Sequence, residues 1–67
     1  MSKPALTIDL RGPDGNVYSL VGKVVTALKK SGAGDKGAEL KELAFKQRSY
    51  EAVLELCQKY ANVTWIR

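Results

Sequence analysis

The sequence has no histidine and a single cysteine, Cys57, among its 67 residues. One cysteine cannot form an intramolecular disulfide, and the usual zinc sites need several imidazole or thiolate ligands. Without histidine, an activated nucleophile of the Cys–His type is excluded as well. We therefore expect neither a metal nor a cofactor, and we place Cys57 in the core.

The acidic residues offer no pair suited to acid–base catalysis. All of them fall at turns, at helix caps or on helix surfaces, where no apolar setting would shift the pKa of a carboxyl group. They are Asp9, Asp14, Asp35, Glu39, Glu42, Glu51 and Glu55. We predict that the protein is not an enzyme and has no catalytic residues.

Long hydrophobic runs are also missing. No apolar run approaches the roughly 20 residues that a membrane-spanning helix needs, and no signal-peptide pattern follows Met1. With only one cysteine, the sequence favours a reducing compartment. We expect a cytoplasmic protein without a membrane partner.

What is present indicates a small folded domain, 1–67. Hydrophobic residues make up 45% and charged residues 27% of the chain, as in globular proteins. A chain this short buries only about 60% of its unfolded surface, and small domains usually gain stability from disulfides, a metal or another chain. Because the first two are excluded, we predict a homodimer. The net charge of +4 is a mild bias that permits nucleic-acid binding without favouring it.

The residue pattern predicts a strand, three helices and a second strand. Leu6, Ile8 and Leu10 alternate with polar residues, which is typical of a half-buried strand. The first helix has the ungapped spacing of an amphipathic helix, with apolar residues at Val17, Leu20, Val21, Val24, Val25 and Leu28. The second helix is expected over 36–46, and the β-branched and aromatic residues 63–67 indicate a strand. The predicted fold is α+β, β-α-α-α-β, with the two terminal strands paired in a small antiparallel sheet covered by helices.

Local signals predict where the helices begin and end. Asn16 is the expected N-cap of the first helix and Gly32 its C′ residue. Residues 31–37 then form a flexible connection in which Asp35 caps the second helix. Ser49 is the expected N-cap of the third helix, and Asn62 the left-handed residue after it.

Two glycines invite a specific interpretation. Gly15 ends the turn Gly12-Pro13-Asp14-Gly15, where a positive φ would cost it nothing. Gly22 lies inside the first helix, where it either permits the close approach of a neighbouring backbone or is simply tolerated at a cost of about 1 kcal/mol. Anion-binding loops also join a strand to a helix, but this turn lacks their glycine spacing and carries the Asp14 carboxylate. We interpret it as a structural corner.

The best candidates for an interaction surface are residues of the first helix and the last strand. Lys23, Thr26 and Lys30 share one helix face, which suits either phosphates or an acidic protein but is equally typical of a solvated face. Tyr18 lies at the edge of the apolar stripe, and Trp65 suits the core or a dimer interface. The predicted interaction surface is Tyr18, Lys23, Thr26, Lys30 and Trp65.

The stretch Ile8-Asp9-Leu10-Arg11-Gly12-Pro13-Asp14-Gly15-Asn16-Val17-Tyr18 and the valine-rich helix after it resemble small proteins of tailed bacteriophages. The later stretch Ser49-Tyr50-Glu51-Ala52-Val53-Leu54 and the hydrophobic last strand are similar to the same group. The resemblance implies expression in the cytoplasm of an infected cell and modulation of a host protein. It carries over no functional residues.

These observations lead to two functional hypotheses. The first is a non-enzymatic protein-interaction module of phage origin that binds a host or phage protein. The alternative is a DNA-binding regulator of the ribbon-helix-helix type, in which a strand face reads bases in the major groove. That face would present Thr7, Asp9 and Arg11, and phosphates would repel Asp9.

Overall fold

The computed structural model describes residues 3–67, except for the side chain of Asp14. Its elements are β1 (Ala5–Asp9), α1 (Val17–Lys30), α2 (Gly34–Ala44), α3 (Tyr50–Tyr60) and β2 (Asn62–Ile66), with one turn of 3₁₀ helix at Pro13–Gly15. The α+β class and the order β-α-α-α-β are therefore confirmed. The prediction that the Asp14 carboxylate disfavours anion binding at the turn concerns a side chain that lies outside the described residues.

The two strands pair in parallel, so the predicted antiparallel sheet is wrong. Thr7 lies opposite Thr64, and Ile8 lies opposite Trp65. Parallel strands need a long crossover connection, which the three helices supply. The connection carries the chain back to the starting end of β1, where Asn62 lies opposite Ala5, so β2 runs in the direction of β1.

The core lies between the helices and one face of the sheet. Its fully buried members include Ile8 from β1, Leu20 from α1, Leu40 from α2 and Cys57 from α3. Burial raises the pKa of the Cys57 thiol to about 11, so the thiol is protonated at neutral pH. None of the helices within residues 3–67 has the length and apolar character needed to cross a membrane.

The predicted ends of α1 are confirmed by their hydrogen bonds. The Asn16 side-chain oxygen accepts a bond of 2.7 Å from the Tyr18 amide. At the other end Gly32 has a φ of 86°, and the Ala33 amide donates to the Leu28 carbonyl oxygen at 2.8 Å. This is the Schellman arrangement, in which a left-handed glycine lets the chain satisfy the last helical carbonyls.

The boundaries of α2 and β2 differ from those predicted. Helix α2 begins at Gly34, so the connection before it is short, and Asp35 lies in its first turn instead of capping it. Ser49 does cap α3, because its hydroxyl accepts a bond of 3.1 Å from the Ala52 amide. Asn62 is the first residue of β2 rather than a left-handed residue, and the extended backbone of Ala61 ends α3.

The close backbone approaches involve different glycines from the one proposed. Gly22 is exposed, and a Cβ there would meet nothing within 4 Å. A Cβ at Gly37 would lie 3.2 Å from a Val25 methyl group, so Gly37 is where α2 approaches α1 closely. Gly15 does not adopt the positive φ considered for it, but a Cβ there would overlap the Leu10 carbonyl oxygen. The turn therefore needs glycine for space, not for its dihedral angle.

Candidate interaction groove between α1 and β1

A groove of about 620 Å³ runs between α1 and β1. Leu6 and Thr7 line it on the strand side. On the helix side its lining follows the spacing of three and four residues that places side chains on one face. The helix residues are Tyr18, Ser19, Gly22, Lys23, Thr26, Ala27 and Lys30.

The structure brings together four of the five residues that we expected to form an interaction surface. Tyr18, Lys23, Thr26 and Lys30 all line the α1–β1 groove. Trp65 lies elsewhere, because it belongs to β2, where it is half-buried and packs against the core. The groove is thus a feature of α1 and β1 alone.

Sequence reasoning missed the strand residues of the groove and the role of Gly22. Leu6 and Thr7 lie beside α1 only because the chain turns back sharply at residues 12–15, which no periodicity displays. Gly22 opens the groove, since it offers no side chain where its neighbours would place one. The available signal was spacing: Ser19, Gly22, Lys23, Thr26 and Lys30 form one continuous helical stripe.

The strand side of the groove is an unpaired edge. The Pro4 carbonyl accepts from the Asn62 amide at 2.8 Å, and the Leu10 amide donates to the Ile66 carbonyl oxygen at 2.8 Å. Because successive residues of a strand direct their backbone groups to opposite sides, Ala5, Thr7 and Asp9 direct theirs away from β2. In the described part of the chain no backbone bond covers that side of β1.

The corresponding edge of β2 is partly covered. The Gln58 side-chain amide donates a bond of 2.8 Å to the Val63 carbonyl oxygen, which faces away from β1. An exposed strand edge tends to pair with other chains unless side chains or neighbouring elements block it. Of the two edges, that of β1 is the more available for pairing.

The charge lining the groove is positive. Lys23 and Lys30 contribute ammonium groups, and no carboxylate is found among the described side chains of the lining. Beyond the end of the groove, Arg11 donates two bonds of 3.1 Å to the Asp9 carboxylate. These bonds, together with one from the Arg11 amide, lower the pKa of Asp9. The negative charge of Asp9 is thereby compensated locally.

An aromatic pair lies at the α1 N-terminal end of the groove. The Tyr18 and Phe45 rings have centroids 5.0 Å apart, and Tyr18 is 74% exposed. Aromatic residues that stay exposed on a rigid helix are common energetic centres of protein interfaces. The two packed rings form an apolar surface at this end of the groove.

The described residues offer no good candidate for a metal site or a reactive cysteine. No three His, Cys, Asp or Glu side chains of residues 3–67 lie close enough together to hold a metal ion. Cys57 is fully buried among apolar side chains. Comparison of the chain with protein-family models, curated proteins and solved structures finds no match. The case for a site therefore rests on the geometry of the α1–β1 groove.

Proposed function

We propose that the protein is a non-enzymatic interaction module that captures an extended, acidic segment of another protein by adding it as a strand to β1. The observation that carries this proposal is the unpaired edge of β1 alongside an open, positively charged groove. In known strand-addition complexes the backbone bonds provide affinity, while pockets for alternate side chains provide specificity.

The backbone groups needed for such binding come from three alternate residues. Ala5, Thr7 and Asp9 direct their amides and carbonyls to the free edge, and Ala5 and Thr7 are exposed. A third strand bound there would complete these hydrogen bonds. It would also stabilise the sheet, because a sheet with only two strands is marginally stable.

The side of the groove formed by α1 would select the segment. Ser19, Gly22 and Ala27 are small and leave room for the side chains of the bound strand. Lys23 and Lys30 favour carboxylates in it, because complementary charge fixes the register and speeds the encounter. Tyr18 offers an apolar contact at the end of the groove.

The resemblance to small proteins of tailed bacteriophages supports a host or phage protein in the infected cell's cytoplasm as the partner. We assign the β1 edge to a foreign segment instead of a second copy, because a second copy would bring two sets of Lys23 and Lys30 together. The homodimer remains a separate prediction, which sedimentation at micromolar concentration tests.

The experiment is a selection of random dodecapeptides on the protein, followed by binding measurements with variants. Gly22→Leu places a side chain in the groove from a position where a Cβ has no atom within 4 Å, so we expect the fold to tolerate it. Ala38→Leu, on the exposed face of α2, is the matched control. We expect acidic, β-branched peptides whose affinity falls at least about tenfold in Gly22→Leu and stays unchanged in Ala38→Leu. Equal binding by both variants would refute the groove as the site.

A DNA-binding measurement separates this proposal from the ribbon-helix-helix alternative. Binding driven by phosphates weakens steeply with salt. We expect no retention of nonspecific duplex DNA at low salt, since Arg11 on the outer face of the β1 end is held by Asp9. Strong, salt-dependent retention that Arg11→Ala abolishes would favour the ribbon-helix-helix alternative instead.

A further inference from the structure

A second groove, separate from the α1–β1 groove, lies between the C-terminal part of α1, α2 and α3. It has a volume of about 640 Å³, which is within the range of roughly 300–1,000 Å³ typical of small-molecule sites. Its aliphatic floor is formed by Leu28, which is buried, and by Leu43 and Leu56, which are half-buried. The half-buried leucines show that the helices leave this side of the core incompletely covered.

Positive charge surrounds this aliphatic floor. Lys3, Lys36 and Lys59 line the groove together with one carboxylate, Glu39. Lys36 and Glu39 form an ion pair of 3.7 Å, which offsets one positive charge. Among the described lining residues, two ammonium groups therefore remain in excess.

The two remaining lysines differ in what they contact. Lys3 donates a bond of 3.3 Å to the Gln58 carbonyl oxygen. Lys59 has no hydrogen bond or ion pair to any residue within 3–67. Because Lys59 also lines the groove, its ammonium group is the one best placed to meet an incoming anion.

Tyr60 contributes a neutral polar group at the same place. Burial, the charge of Glu39 and a hydrogen bond with Glu39 raise the pKa of the Tyr60 phenol. The Tyr60 phenol is neutral at physiological pH and lies beside Glu39 in the lining of the groove.

We propose that this second groove binds a free fatty-acid carboxylate, with the alkyl chain on the leucine floor and the carboxylate beside Lys59. The aliphatic floor matches an alkyl chain better than a planar ring system. The excess of ammonium groups selects an anionic head over a cationic one. The volume fits a single small molecule.

The test is a titration of the ¹⁵N-labelled full chain with decanoate below its critical micelle concentration, followed by amide chemical shifts. Decyltrimethylammonium, which has the same chain length and the opposite charge, is the ligand control. We expect saturable shifts at Leu43, Leu56 and Tyr60 with decanoate, and at least about fivefold weaker binding of the cation. Shifts that do not saturate, that lie elsewhere, or that are equal for both amphiphiles would overturn the proposal.

A charge reversal separates recognition of the head group from simple apolar contact. Lys59→Glu, at an exposed position, should weaken decanoate at least about threefold and strengthen the cation. Lys41→Glu makes the same charge change on α2 outside the groove and should leave both affinities within about twofold. Equal effects of the two substitutions would show that net charge alone governs binding, which would contradict a site at Lys59.

Discussion

The hydroxyl of Tyr50, the first residue of α3, donates a hydrogen bond to the carbonyl oxygen of Gly15 in the turn that precedes α1. The two residues are 35 positions apart in the sequence. The bond therefore attaches the strand-to-helix turn to the start of the last helix. It helps to fix the direction in which α1 leaves the turn, and with it the width of the α1–β1 groove.

Tyr50→Phe should lower the free energy of unfolding by about 1 kcal/mol, the usual net value of one hydrogen bond. The substitution removes the hydroxyl and keeps the ring. Tyr18→Phe is the matched control, because Tyr18 is mostly exposed and its ring contact with Phe45 needs no hydroxyl. Denaturant unfolding measures both, and equal stability of the two variants would contradict a role for the Tyr50 bond.

Alanine substitutions at Gly22 and Gly15 should change the free energy of unfolding in opposite directions. Gly22→Ala should raise the free energy of unfolding by about 0.5–1 kcal/mol, because alanine is the better helix former and its Cβ meets nothing. Gly15→Ala should lower it by about 1–3 kcal/mol, because the Cβ would overlap the Leu10 carbonyl oxygen. Thermal and denaturant unfolding distinguish the two signs. A destabilised Gly22→Ala would indicate a contact at Gly22 that the structure lacks.

Cys57 should make stability fall at alkaline pH. Burial holds the folded-state pKa of the thiol at about 11, above its ordinary value of 9.0. The unfolded chain loses this proton first, so the stabilisation is complete below pH 9 and is lost as the pH rises from 9 to 11. Cys57→Ala should not show this loss of stability. Denaturant unfolding of both proteins at a series of pH values from 9 to 11 measures the difference.

The same burial predicts that the Cys57 thiol reacts with thiol reagents only when the chain unfolds. In native buffer its rate should follow the rate of unfolding, and in denaturant it should reach that of a free thiol. Fast reaction in the native state would contradict full burial of Cys57.

Arg11 should control the titration of Asp9. Hydrogen bonds from the Arg11 side chain and backbone amide lower the pKa of Asp9. Their stabilisation is present above the ordinary carboxyl pKa of 3.8 and is lost as the pH falls through the lower pKa of the folded state. Arg11→Ala should raise the pKa of Asp9 only part of the way to its ordinary value, because the hydrogen bond from the backbone amide of residue 11 remains. Carboxyl chemical shifts measure this, with Lys41→Ala as the charge control. An unchanged Asp9 titration in Arg11→Ala would contradict the contact.

The parts of the fold that the sequence predicted well depend on local interactions. Helix α1 has an ungapped apolar stripe, the Asn16 cap and the Gly32 C′ residue, and each of these acts within a few residues. Helix α2 was less well predicted because its cap is Ala33, which forms no side-chain bond and gives no signal. The direction of β2 depends on all three helices together, and no local pattern encodes it.

The candidate site was predicted on one side only. Helical spacing grouped Lys23, Thr26 and Lys30 correctly, because that grouping is a property of α1 itself. The contribution of Thr7 and the separation of Trp65 depend on tertiary packing, because α1 lies beside β1 and not beside β2 within residues 3–67. Whether another element packs against Gly22 depends on tertiary structure, and none of the described elements does, so Gly22 leaves open space in the groove.

Amide hydrogen exchange along β1, with and without a selected acidic peptide, measures whether a segment pairs with the free edge of β1. In the free protein, the amides of Leu6, Ile8 and Leu10 should be protected by β2, and those of Ala5, Thr7 and Asp9 should exchange rapidly. Saturation with peptide should slow exchange at Thr7 and Asp9 and leave the Trp65 amide on the far strand unchanged. Protection at Thr7 in the free protein, or no change there on peptide binding, would contradict strand addition at β1.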